Sequence, residues 1–120
     1  MENIYFCIAI SFLFIHELDA IKAKEWKLFI ILRDLKEEQA YSIWLAMHLP
    51  VFLFPLLILS NFMDPYTILI YKIGLDIFLI FHLFLHFLFR NHKEYQFKSL
   101  QSNLYIAFTA IFAIFDLTFT

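Results

Sequence analysis

Four histidines and several carboxylates stand inside otherwise apolar stretches of this chain. His16, Glu17 and Asp19 fall in "FLFIHELDAIKAKEW" (12–26), His48 in "MHLPVF" (47–52), and His82 and His86 in "FHLFLH" (81–86). Imidazole and carboxylate together form the ligand sets of Zn²⁺ and Fe²⁺ sites. A cation held with one open position lowers the pKa of bound water toward about 7, and a further carboxylate can take its proton. The spacing favours that use. His82 and His86 are four apart, so their rings project side by side from one helix face. His16 and Asp19 are three apart and also share a face, with Ala20 and Ala23 beside them to let another helix approach. "HLFLH" is not the H-E-x-x-H zinc motif, because Leu83 follows His82. A carboxylate must therefore come from elsewhere, and Glu17 and Asp19 offer it.

These residues need elements that suit an apolar solvent. The chain has 120 residues, 62% of them hydrophobic, with 17 Phe, one Gly and a mean hydropathy of +0.75. A soluble domain of this size exposes too much surface to hide so many apolar side chains, and usual domains are roughly 45–50% apolar. The reading is an all-α four-helix transmembrane bundle, a single domain over 1–120. Its helices are expected at about 4–31, 41–59, 66–89 and 104–119, each near the roughly 20 residues that a span needs. Pro50 and Pro55 lie inside the second, where membrane helices tolerate a kink. The N-terminus lacks a basic region and a small-x-small cleavage site, so it reads as a retained first helix. Cys7 has no intrachain partner and reads as an apolar packing residue.

Lysine and arginine placement orients the bundle. Lys22, Lys24, Lys27, Arg33, Lys36, Arg90, Lys93 and Lys98 fall at the first and third connections, and only Lys72 lies toward the other side. This is a positive-inside pattern, which puts both charged loops in the cytoplasm and both termini outside. Trp26 and Trp44 read as anchors at that interface. The net charge of −2 gives no basic surplus for nucleic acid.

Depth then brings the histidines together. At a rise of about 1.5 Å per residue, His16 lies about 12 Å, His48 about 10 Å, His82 about 12 Å and His86 about 6 Å below the charged side, with Asp19 about 8 Å deep. Three antiparallel helices thus carry histidines to one level. His16, His48, His82 and His86 are the expected metal ligands, and Glu17 and Asp19 the expected catalytic carboxylates. Continued helical geometry places Glu25 about 180° around from His16, away from the site and among solvated pairs. Lys72 and Asp76, four apart, are expected to pair, with Asp116 arriving nearby as part of a packing cluster.

"HELDAIKAKEW" (16–26) resembles the first-helix signature of a small uncharacterised bacterial membrane-protein family, and "MHLPVF" and "FHLFLH" resemble its second and third blocks. The layout is also similar to the HXXEE-motif membrane proteins. That resemblance implies a metalloenzyme role and bears on His16, Glu17 and Asp19. The pattern itself is not met, because Asp19 and Ala20 occupy its two acidic positions.

The function expected from these residues is that of a metal-dependent membrane enzyme in the bacterial cytoplasmic membrane, a hydrolase of a lipid-soluble or interfacial substrate. Zn²⁺ is expected ahead of Fe²⁺. The rivals are a b-type haem protein, with two of the histidines as axial ligands, and a non-enzymatic subunit or ion-handling protein with buried charges. The bilayer and a lipid-like small molecule are the expected partners, and assembly into an oligomer is left open.

Overall fold

A computed structural model describes residues 3–119. Four helices follow one another: α1 (Ile4–Lys22), α2 (Glu37–Leu59), α3 (Pro65–Phe89) and α4 (Leu100–Phe119), with a short 3-10 helix at Glu25–Leu28 between α1 and α2. No strand occurs among the described residues. All four helices are long and apolar enough to cross a membrane. The expected all-α four-helix bundle is the fold observed.

The distribution of polarity is inverted relative to a soluble bundle. Leu18, Ile31, Leu49, Ile70, Phe81 and Phe87 are exposed, whereas His16, Glu17, Glu25, Lys72, Asp76, His86 and Asp116 are buried. Such an exterior suits lipid, where a charged group is stable only against a partner inside the protein. Lys72 Nζ accordingly sits 2.9 Å from Asp116 Oδ2 and 5.8 Å from the Phe6 ring centre. Asp76 is beside Asp116. The expected charge cluster therefore forms, but the close ion pair links α3 to α4 rather than Lys72 to Asp76 along one helix.

α4 packs against both α1 and α3, while α2 meets α3 and the 3-10 helix. Ala9, Ala20, Ala110 and Ala113 are buried on α1 and α4. Such small residues let membrane helices approach closely. Phe12 stacks on Phe112 at 5.9 Å along the same seam. Two apolar clusters result. One joins Phe6, Leu13, Ile58, Leu79 and Ala113. The other gathers Ala20, Trp26, Trp44, Tyr95 and Phe97 at the end bearing the charged loops. Trp26 and Trp44 are thus buried against one another, their rings 5.6 Å apart, and are not interface anchors.

The helix limits differ from expectation for local reasons. α2 begins at Glu37 rather than 41, because Glu37 and Glu38 suit the positive end of a helix dipole. α3 begins one residue earlier, at Pro65: the Asp64 carboxylate accepts from the Thr67 amide at 3.0 Å and proline takes the first position. α4 starts at Leu100 rather than 104, where the Ser99 hydroxyl accepts from the Ser102 amide at 3.0 Å. The largest change is in α1, which ends at Lys22 instead of continuing to 31. The amides of Ala23 and Lys24 bond back to the carbonyls of Asp19 and Ile21, and Lys24 adopts φ 50°, ψ 51°. This left-handed residue reverses the chain, and Lys24 pairs with Glu37 at the start of α2.

A left-handed conformation costs a residue with a Cβ about 1–2 kcal/mol. Lys24 already bears that cost, so Lys24→Val should lower stability further, by the added strain of a branched Cβ and the loss of the pair with Glu37. Lys24→Gly should cost little, since glycine accepts the turn. Thermal unfolding in detergent micelles compares the two.

Candidate metal centre

Three imidazoles converge where α1 and α3 meet the connecting segments. His16 Nε2 and His86 Nε2 each lie 3.1 Å from His82 Nε2. Glu25 Oε1 completes the group at 3.3 Å from His86 Nε2 and 3.9 Å from His82 Nε2. One ligand atom from each of these four residues lies within 4.8 Å of all the others, so together they could hold a metal ion. With metal–nitrogen bonds of about 2.0–2.1 Å, neighbouring ligands stand about 3.3–3.4 Å apart in a tetrahedron and about 2.8–3.0 Å apart in an octahedron, so the separations of 3.1 and 3.3 Å here are compatible with a shared cation. Hydrogen bonding accounts for the cluster less well. A neutral ring has one N–H, and His82 Nε2 faces two other ring nitrogens and a carboxylate.

Each ligand is positioned by identifiable structure. His82 and His86 occupy successive turns of α3, as their spacing requires. His86 Nδ1 meets the Tyr95 hydroxyl at 3.2 Å. Phe97 closes over the rings, 4.6 Å from His86 and 5.3 Å from His16 between centroids. The segment between α3 and α4 therefore covers the cluster from the loop side. Glu25 is 5% exposed. It reaches the cluster because Lys24 turns the chain back, which corrects the expectation that Glu25 faces away from His16. That expectation extended α1 past the residue where it ends. Burial by itself would raise the Glu25 carboxyl. The hydrogen bond with His86 and the nearby His82 and His16 instead hold it well below the usual carboxylate range. Burial, and then the charge of Glu25, raise the Tyr95 hydroxyl.

His48 takes a different place. Its Nε2 is 2.8 Å from Glu17 Oε2, its Nδ1 is 2.7 Å from the Trp44 carbonyl, and its ring lies 3.9 Å from that of Trp44. Glu17, Glu25 and His48 form a second group whose ligand atoms lie within 4.8 Å of one another. Glu25 is thus common to both groups. Asp19, on the next turn of α1, accepts a hydrogen bond from the Ser102 hydroxyl of α4 and belongs to neither.

Among the expected residues, then, His16, His82 and His86 come together, Glu17 and His48 pair beside them, and Asp19 turns toward α4. Glu25, Tyr95 and Phe97 were not expected at the site. The sequence holds a signal for the last two: Tyr95 and Phe97 alternate with Gln96 and Lys98, the period-two pattern that sets both rings on one side of an extended segment.

A family model matches residues 2–120. The chain belongs to a family of unknown function, DUF6713. Neither the curated proteins nor the solved structures compared with it contain a match. The histidine cluster, the Lys24 turn and the Tyr95–Phe97 cover all lie within the matched residues.

His16→Ala, His82→Ala, His86→Ala and Glu25→Ala should each abolish divalent-metal binding at the His16, His82, His86 and Glu25 cluster. Tyr95→Phe, which removes a partner behind a ligand, should weaken it by about 10–100-fold. Asp19→Asn should leave it unchanged. Competition with a chromophoric chelator, on protein purified in detergent, measures all six.

Proposed function

We propose that this chain is a metal-dependent integral membrane enzyme, a hydrolase of a lipid-soluble or interfacial substrate. Its ion is held by His16, His82, His86 and Glu25. The observation that carries this reading is the approach of three imidazole nitrogens and one carboxylate oxygen to within 4.8 Å of one another. Such a donor set suits Zn²⁺ and Fe²⁺. Glu25 stands farther from His82 than His16 and His86 do, 3.9 Å against 3.1 Å. The wider separation supports a coordination position left for water or a substrate oxygen. A cation there polarises an acyl or phosphoryl oxygen and lowers the pKa of water toward about 7. Glu17 is the nearby carboxylate suited to receive the proton.

Access supports a substrate that arrives through the bilayer. His48 and His82 keep 12% and 17% of their side chains exposed, against 6% for His86. The exposed edge is bordered by Phe52 near His48 and Phe78 near His82. An apolar molecule would meet these rings before the polar groups behind them. The loop side is covered by Tyr95 and Phe97. The lysine and arginine distribution favours an orientation with the charged loops on the cytoplasmic side and both termini outside, and the resemblance of the HELD segment favours a bacterial cytoplasmic membrane. Haem fits the cluster less well. Axial nitrogens stand on opposite faces of a porphyrin, about 4 Å apart, and 3.1 Å between neighbouring imidazoles leaves no space for that plane.

The test is elemental analysis of protein purified in nanodiscs, followed by assay against lipophilic carboxylic and phosphoric esters. Expected are bound transition metal and ester cleavage; His82→Ala and Glu25→Ala lower the metal content and lose the cleavage, and Asp19→Asn retains both. A folded, metal-free protein that still cleaves an ester overturns the proposal.

A further inference from the structure

We propose that Glu17, His48 and Glu25 hold a second divalent cation, with the Glu25 carboxylate bridging it to the ion at His16, His82 and His86. This rests on the metal reading above and adds a position to it.

The tautomer of His48 supplies the first argument. A backbone carbonyl only accepts, so the 2.7 Å contact with Trp44 requires the proton on Nδ1. In the neutral ring Nε2 then carries a lone pair, and it faces a Glu17 oxygen 2.8 Å away. Two acceptors at that distance need a positive charge between them, either a proton or a metal ion. The second argument is the company of Glu25. Glu17 and Glu25 are 4% and 5% exposed, and their ligand atoms lie within 4.8 Å of each other. Two carboxylates packed together away from water repel unless cations sit among them. One divalent ion at the histidines balances two carboxylates in total charge, but its ligands include Glu25 and neither Glu17 nor His48. A second ion would sit at the Glu17–His48 pair itself and share Glu25 with the first.

The geometry also suits a bridge. Glu25 presents Oε1 to His82 and His86, and a carboxylate has a second oxygen for another ion. Carboxylate-bridged ions stand about 3.5–4 Å apart and clamp both the attacking and the leaving oxygen of a displacement. One nitrogen and two carboxylate oxygens suit Mn²⁺, Fe²⁺ or Zn²⁺ at this second position. His48 is then a ligand whose Nδ1–H is fixed by a carbonyl, the usual outer partner of a metal-bound imidazole.

The experiment is metal stoichiometry and magnetic coupling in the full chain, loaded with Mn²⁺ and freed of excess by gel filtration in detergent. Expected are two ions per chain with an exchange-coupled spectrum in the wild type. One ion with an isolated-ion spectrum is expected in His48→Ala, Glu17→Ala and His48→Gln. The His48→Gln variant keeps a polar partner for Glu17 while removing the imidazole ligand. If a proton alone joins Glu17 to His48, the wild type holds one ion and all three variants still hold one. That result overturns the second position and leaves the His16, His82, His86 and Glu25 site standing. A wild type that binds none overturns both.

Discussion

Within an apolar exterior, a buried charge has no water to fall back on, and the architecture follows from that constraint. Each ionisable group inside the bundle needs a partner from another element, and those partnerships fix how the helices sit. Lys72 of α3 meets Asp116 of α4 toward one end. Asp19 of α1 meets Ser102 of α4 toward the other. Glu17 of α1 meets His48 of α2. Apolar contacts alone would distinguish poorly between rotations of such helices, because lipid is as apolar as the side chains it would replace. The polar contacts select one rotation for each helix. In doing so they gather the imidazoles of α1 and α3 at one point.

The bulk of this arrangement was legible in the sequence. Helix number, the inward direction of the charges and the shared level of His16, His48 and His82 follow from hydropathy and a fixed rise per residue. The pairing of His82 with His86 follows from their spacing. What was not legible lies where helical extrapolation stops. Glu25 could be placed only by knowing that α1 ends at Lys22, and the residues there carry no glycine or proline to announce it. Lysine is an uncommon choice for a left-handed turn, so the usual marker is missing. Trp26 and Trp44 misled for the opposite reason. Tryptophan near charged loops usually marks a membrane interface, but here the reversed chain folds over both rings. His48 lay at the expected depth, yet depth does not determine which carboxylate a side chain meets.

The connecting segments do more than join spans. The stretch after α1 contributes Glu25, and the stretch after α3 contributes Tyr95 and Phe97. The bundle supplies the imidazoles, while the connections supply the anion, the outer hydrogen bond and the cover. The most extensive helix contacts are those of α4 with α1 and α3, and α2 meets α3 more lightly. It contributes His48 at the exposed edge, where an incoming molecule first meets a polar group.

The left-handed residue at Lys24 has a consequence for how helix length and chemistry are linked. Had α1 continued as a helix, Glu25 would stand about 180° around from His16, and the three imidazoles would have no carboxylate beside them. The position of the anion thus depends on the backbone of a single residue, whereas the positions of the imidazoles depend on how whole helices pack.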